Sequence, residues 1–234
     1  MAAKDPVEEA RKAEEARVEV TALVERARKA QAQIRNLTQE EVLRFAAAIG
    51  WLAVTRAEVW GQTVLAETGM GRLESKIARV QDRARGLMRD YQEAKTVGVI
   101  EVDEAKNLVK IAKPVGVVAA LIPTTVPETV VYMGAMNALM GRNAMISSPH
   151  PRAKSSTNFV VDEIRELLGR LGLPQDLMLC IEKPNLAKTN ELMRQSDLIV
   201  ATGGGPMVKA AYSSGTPAYG VGCRQRHRRD RRNC

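Results

Sequence analysis

Between residues 115 and 222, five short segments are built almost wholly of apolar or small side chains: VGVVAALI (115–122), NAMIS (143–147), LMLCI (177–181), LIVA (198–201) and AYGVG (218–222). A strand with one wet face alternates apolar and polar residues, whereas a run without alternation needs cover on both faces. The intervening stretches, at about 128–141, 153–171, 186–195 and 206–214, have the spacing of helices that can supply that cover. Strand and helix alternating in this way predict an α/β domain with a doubly wound parallel sheet. Ligands of such sheets bind beyond the C-terminal strand ends, so the chemistry is expected in the loops that follow the strands.

Two further regions precede this one. Residues 1–95 are rich in Ala, Glu, Arg, Leu and Val with helical spacing, which predicts an N-terminal helical region. Thr38 followed by Glu41 is a capping box, and Val42, Phe45, Ala46 and Ile49 then share a face. Gly50 is expected to interrupt the helix before a second apolar stretch from Trp51 to Ala66, which ends at Thr68-Gly69-Met70-Gly71. Ile77, Val80, Ala84, Leu87, Met88 and Tyr91 form the stripe of a third helix, and the aromatic and Met side chains of the whole region are expected in the core. Residues 96–113 change character: Val97–Ile100 and Leu108–Ile111 flank the polar run Asp103–Asn107, which predicts a β-hairpin.

The loops after the predicted strands are distinctive: Pro123-Thr124-Thr125-Val126-Pro127, then Ser148-Pro149-His150-Pro151-Arg152-Ala153-Lys154, then Thr202-Gly203-Gly204-Gly205-Pro206. Three glycines opening a helix leave backbone N–H groups free for a phosphate, although a Gly-rich connection serves as often as a tight turn alone. The G-x-G-x-x-G fingerprint is absent. His150 is held stiffly between two prolines. Contact with a cofactor ribose or phosphate and a plain surface loop with a basic helix start fit it equally well. There is no second histidine in the body and no clustered Cys or carboxylate set, so no metal site is expected. Cys180 lies within an apolar strand, which predicts an inert buried thiol.

A formal net charge of +8 taken as a total points to an anionic partner, but its distribution argues otherwise. Residues 223–234, CRQRHRRDRRNC, hold six Arg against one Asp and so carry +5, leaving +3 for the first 222 residues. A nucleic-acid arm has only this charge in its favour, with no aromatic residue interleaved for base stacking. Neither nucleic acid nor membrane is expected as a partner. Two of the three cysteines are also in the tail, so no disulfide framework fits the body; no apolar run has the length of a membrane span, and the N-terminus is too charged for a signal peptide. A cytoplasmic location is the expectation.

The segments KPVGVVAALIPTT (113–125), GRNAMISSPHPRAK (141–154) and ATGGGPMVKAAYSSGTPAYGVG (201–222), with ETGMG (67–71), resemble the N-terminal half of the CoA-acylating aldehyde dehydrogenases. That group includes the acetaldehyde, sulfoacetaldehyde, propionaldehyde and succinate-semialdehyde enzymes. The resemblance implies an aldehyde-dehydrogenase-type nucleotide-binding domain at 114–222, and the reaction of an aldehyde, CoA and NAD or NADP to acyl-CoA and reduced nucleotide. It also implies that the hairpin at 96–113 is an oligomerisation arm of a homo-oligomer. Carried over by position, Ile122, Pro123, Thr124, Thr125, Ser148, His150 and Pro151 would line the adenosine and ribose site, and Thr202, Gly203 and Gly204 would lie near the pyrophosphate. Whether Arg152 and Lys154 meet the 2′-phosphate of NADP is left open. Gly220 falls where hydrolytic members carry a water-activating Glu, which favours the acylating branch.

Two departures stand out. Val126 occupies the position of the family's Asn, whose amide serves the developing oxyanion; loss of such a donor typically costs about 100- to 1000-fold in rate. The family's catalytic Cys belongs to a domain beyond Gly222, so no catalytic residue is assigned and the chain is expected to be truncated and inactive alone. The alternative is a non-catalytic NAD(P)-binding or subunit-pairing remnant. One permitted choice of codons for Gly222 onward, read one nucleotide later, spells Ala-Ala-Gly-Asn-Ala-Thr-Ala-Val-Thr-Asp-Glu-Thr, the kind of segment the family carries there. The tail is therefore expected to be out of frame.

Overall fold

The computed structural model describes residues 6–221. The Arg-rich tail, with Cys223, Cys234 and the expected change of frame, lies outside the described residues.

Three long helices come first: α1 (Pro6–Ile34), α2 (Gln39–Thr68) and α3 (Leu73–Glu93). The capping box forms as expected, with the Thr38 hydroxyl accepting from the Glu41 N–H at 3.2 Å and the Glu41 carboxylate accepting from the Thr38 N–H at 2.8 Å. Gly69, at φ 66, ends α2 in the left-handed conformation that glycine adopts without strain. The expected interruption at Gly50 does not occur. α2 continues through it, and the absent side chain admits α4: a Cβ there would lie 3.1 Å from the Met136 methyl carbon. Trp51 also departs from expectation. It is 70% exposed, whereas Trp60 on the same helix is fully buried.

The hairpin follows, β1 (Gly98–Asp103) antiparallel to β2 (Leu108–Ala112), with Asn107 at φ 51 closing the turn. Its stem is clamped. The Gln39 amide oxygen accepts from the backbone of Thr96 and Val97 at 2.8 and 3.1 Å, and Arg142 donates to the carbonyls of Ala112 and Arg35 at 3.1 and 2.8 Å. Two cross-strand apolar pairs, Val99–Ile111 and Val102–Val109, are each more than half exposed.

The remaining elements are β3 (Val117–Ile122), α4 (Pro127–Met140), β4 (Ala144–Pro149), α5 (Lys154–Arg170), β5 (Met178–Cys180), α6 (Leu186–Gln195), β6 (Leu198–Thr202), α7 (Gly205–Tyr212) and β7 (Ala218–Val221). All five predicted strands form one wholly parallel sheet in the order β5-β4-β3-β6-β7. Of the three inner strands, β3 and β4 are buried along their whole length, as their lack of alternation requires, whereas β6 alternates buried and half-buried residues. The chain order reverses between β3 and β6, which creates the crevice where such sheets take ligands.

α2 packs on α4 and α5, while α1 lies along α6. Ion pairs fix α1 to residues just ahead of the strands: Arg26 to Asp176 before β5 at 2.7 Å, and Arg28 to Asp197 before β6 at 2.8 Å. Gln31 adds a 3.0 Å bond to the Arg142 carbonyl ahead of β4. α1 therefore braces the N-terminal ends of the strands and leaves the other end free for a site. No helix among the described residues is long and apolar enough to cross a membrane.

Candidate functional site

The C-terminal strand ends surround a cavity of about 800 Å³. Ile122, Pro123, Thr124 and Thr125 reach it from β3, Ser148, His150 and Pro151 from β4, and Thr202, Gly203 and Gly204 from β6. The structure thus brings all ten sequence-predicted residues to one wall-sharing group. It adds Met70 from the turn after α2, Pro184 and Asn185 from the loop after β5, Leu186 and Thr189 from α6, Met207 from α7 and Arg152.

Local rules explain the placement. The His150 N–H donates to the Ile122 carbonyl at 3.0 Å, which continues the β3–β4 register past Pro149. The imidazole Nδ1 then accepts from the Arg152 N–H at 3.1 Å, so in the neutral ring the proton sits on Nε2, leaving it as the free donor. On the opposite wall, the Thr189 hydroxyl donates to the Asn185 carbonyl at 2.9 Å. Its single proton being used, Ser148 is the donor in the 2.8 Å contact between the two hydroxyls.

Four helices begin at this end of the sheet, and they differ in how their free N–H groups are met. Asn185 caps α6 by accepting from the Lys188 N–H at 2.8 Å. Glu67 reaches across from α2 to α5, where its carboxylate accepts from the N–H groups of Ser155 and Ser156 at 2.8 and 2.7 Å and from the Ser156 hydroxyl at 2.6 Å. α4 and α7 have no side-chain cap. These two follow β3 and β6, the strands that flank the reversal in chain order. The cavity wall holds one cation, Arg152, and no carboxylate. An anionic group placed at the reversal therefore meets two uncapped positive helix ends and no carboxylate on the cavity wall, Glu128 in the first turn of α4 being buried beside Lys76.

Burial alone would raise the Glu67 carboxyl, but the bonds from Ser156 and Ser155 outweigh it and hold the group below its ordinary value of 4.5. A lowered value in the folded state means stability that is present above the ordinary value and is lost as pH falls through the folded one. Glu67→Gln is expected to cost about 1 kcal/mol at neutral pH, the usual worth of such a cap. That difference should vanish in acid. Urea melts of both chains from pH 7 to pH 3 check this, and a constant difference throughout would contradict it.

Val126 is half-buried at the start of α4 and offers no side-chain bond there. At Gly220 the structure leaves no room for a side chain, since a Cβ would lie 2.5 Å from a Val208 methyl carbon and 3.0 Å from the Tyr212 ring. Cys180 is half-buried rather than fully buried as expected, and its thiol is pushed up by desolvation and by the negative charges of Asp162 and Glu182, which leaves it unreactive.

Residues 2–218 match the sequence profile described as the Aldehyde dehydrogenase family. The chain belongs to the aldehyde dehydrogenase family. It is 46% identical over 201 residues to the sulfoacetaldehyde dehydrogenase of Acholeplasma sp, an alignment covering 85% of this chain and 42% of that protein. The fold matches an acetylating aldehyde dehydrogenase from Geobacillus thermoglucosidasius with a TM-score of 0.85 and 38% identity, over 89% of this chain and 47% of that one. A Rhodopseudomonas palustris propionaldehyde dehydrogenase with bound propionyl-CoA matches with a TM-score of 0.75 and 30% identity, over 87% and 45% of the two chains. An engineered glycolyl-CoA reductase with bound NADP+ gives 0.74 and 29%, over 87% and 46%. This chain spans somewhat less than half of the length of each of these proteins. The aldehyde-dehydrogenase resemblance and the α/β fold read from the sequence both hold.

Proposed function

We propose that this chain is the nicotinamide-nucleotide-binding portion of a CoA-acylating aldehyde dehydrogenase. The observation that carries the reading is the convergence of all ten expected residues on one cavity at the reversal in strand order. Its volume of about 800 Å³ suits a ligand of nucleotide size, and its lack of carboxylates suits a phosphorylated one. In this reading the uncapped ends of α4 and α7 receive the pyrophosphate, while His150 Nε2 and the Ser148 side of the wall hold the adenosine ribose. NAD or NADP, when bound, supplies the hydride acceptor. The residues described here bind and orient; CoA is the co-substrate of the intact reaction, and propionyl-CoA bound to one solved relative and NADP+ bound to another support both assignments.

The acylating reaction also needs a thiolate to form its thioester. Cys180 is the one cysteine among the described residues, and its desolvated thiol is unsuited to that task. The expected result is therefore binding without turnover. Calorimetric titration of the purified chain should show uptake of NAD+ or NADP+, and addition of aldehyde and CoA should produce no reduced nucleotide. Absence of nucleotide binding would defeat the first half of the reading, and CoA-dependent nucleotide reduction would defeat the second.

A second role, subunit pairing, is favoured by the hairpin. Its stem is fastened to the body while its cross-strand apolar pairs remain exposed, an arrangement that gains by covering those pairs with another chain. Val109→Thr combined with Ile111→Thr keeps the β-branched shape but removes apolar surface. Sedimentation should show self-association in the parent and a monomer in the variant, and equal sedimentation of the two would refute pairing through the hairpin.

A further inference from the structure

Lys76 of α3 is sealed inside the protein at 1% exposure. A buried ammonium is costly unless it is paired and hydrogen-bonded, so its partners define its role. The side chain starts against α2, where a Cβ on Gly61 would lie 3.5 Å from the lysine Cβ. Its stem passes under the turn between α2 and α3, with the lysine Cε 3.6 Å from a Cβ placed on Gly71. It ends at the entry to α4. There Nζ donates to the Thr125 carbonyl at 3.2 Å and lies 3.7 Å from a carboxylate oxygen of Glu128. Glu128 is fully buried, and neither of its oxygens has a hydrogen-bond partner. Burial pushes its carboxyl up, and the neighbouring Lys76 charge pulls it part of the way back.

The two segments this lysine touches are both walls of the cavity: the turn carries Met70 and the loop carries Thr125. We infer that Lys76 is a positioning residue for nucleotide binding, its ammonium fixing the Thr125 carbonyl and with it the Pro123–Thr125 wall, while Glu128 is the buried counter-charge that keeps the ammonium in place. The inference rests on the reading of the cavity as a nucleotide site. Neither side chain touches the ligand. Their contribution is to hold the loop in its binding shape beforehand, so that less ordering remains to be done when the nucleotide arrives.

Lys76→Met alone strands a buried carboxylate and is expected to disrupt folding. The deciding variant is Lys76→Met with Glu128→Gln, which removes both charges at similar volume. Three measurements on the full chain compare it with the parent: a thermal melt, hydrogen–deuterium exchange without ligand, and calorimetric titration with NAD+ and NADP+. The expected result is a cooperative melt, faster exchange confined to residues 69–73 and 122–130, and nucleotide binding weaker by about ten-fold, the scale of one lost charge-assisted hydrogen bond. Unchanged exchange in those segments overturns the inference, whatever the affinity. A double variant without a cooperative melt assigns Lys76 to the core and overturns it too. If the parent binds neither nucleotide, the nucleotide reading falls on its own, and the exchange comparison alone decides whether Lys76 holds the loop.

Discussion

Trp60→Ala is expected to remove about 3–5 kcal/mol of stability, the range for deleting a large buried aromatic side chain. Whole domains of ordinary stability have about 5–15 kcal/mol, so the variant should be near its unfolding threshold at room temperature. The indole is fully buried where α2, α4 and α5 meet, with its ring centroid 6.1 Å from that of Tyr132. Its N–H donates to a Glu163 oxygen at 2.5 Å, and the Arg56 guanidinium grips the same carboxylate. Deletion therefore opens a cavity and also withdraws a donor from a partly buried charge. Trp60→Phe separates the two losses, because it keeps much of the ring while withdrawing only the donor. Its expected cost is about 1–3 kcal/mol, that of leaving a buried acceptor short of one bond. Urea denaturation of both variants decides: equal losses for Phe and Ala would show that ring volume is not what stabilises this junction.

Gly116→Ala should be comparably damaging, although it adds a single methyl group. Gly116 has φ +122, outside the range that L side chains adopt comfortably, and a Cβ there would lie 2.3 Å from an Asp197 carboxylate oxygen. That same carboxylate accepts from the Val117 N–H at 2.8 Å and pairs with Arg28 of α1, while the Gly116 carbonyl receives the Ala144 N–H at 3.0 Å. The methyl group thus strains the backbone and pushes away the residue that joins β3, β6 and α1. Strain alone is worth about 1–3 kcal/mol, and the displaced contacts add to it. Gly86→Ala is the contrasting case. It lies inside α3 with nothing within 4 Å of the new Cβ, and should raise stability by about 0.5–1 kcal/mol through helix propensity. Thermal melts in which the two substitutions move in the same direction would refute this account.

The parts legible in the sequence are those governed by short-range rules. Apolar runs without alternation located all five strands of the parallel sheet, and Thr38 with Glu41 located the start of α2, because neither depends on what lies elsewhere in the chain. Gly50 and Trp51 depart from the sequence expectation for the opposite reason. A glycine that breaks a helix and one that lets a second helix approach look alike until Met136 is in view, and the exposure of Trp51 depends on the path of the neighbouring helices. Of the four loops that line the cavity, three are conspicuous in the sequence. The fourth, after LMLCI, carries Asn185, a helix cap, and the rule applied to its neighbours would have placed it at the same edge. Met70 and Lys76 give no such sign: Met70, in the turn after α2, reaches the cavity only through tertiary packing, and Lys76 of α3 reaches only the Thr125 carbonyl behind its wall.

The bracing of the strands by α1 has a consequence for synthesis. The helix is made first, but Arg26 waits for Asp176 and Arg28 for Asp197, ion-pair partners 150 and 169 residues later. At about 5–20 residues per second, the ribosome needs roughly 10–30 s to deliver them. Throughout that interval the face formed by Val20, Val24, Ala27 and Ile34, buried in the finished protein, has no sheet to rest on. Nascent chains of this protein should therefore engage holdase chaperones through their first helix, and release them only when β6 has emerged and the sheet can close.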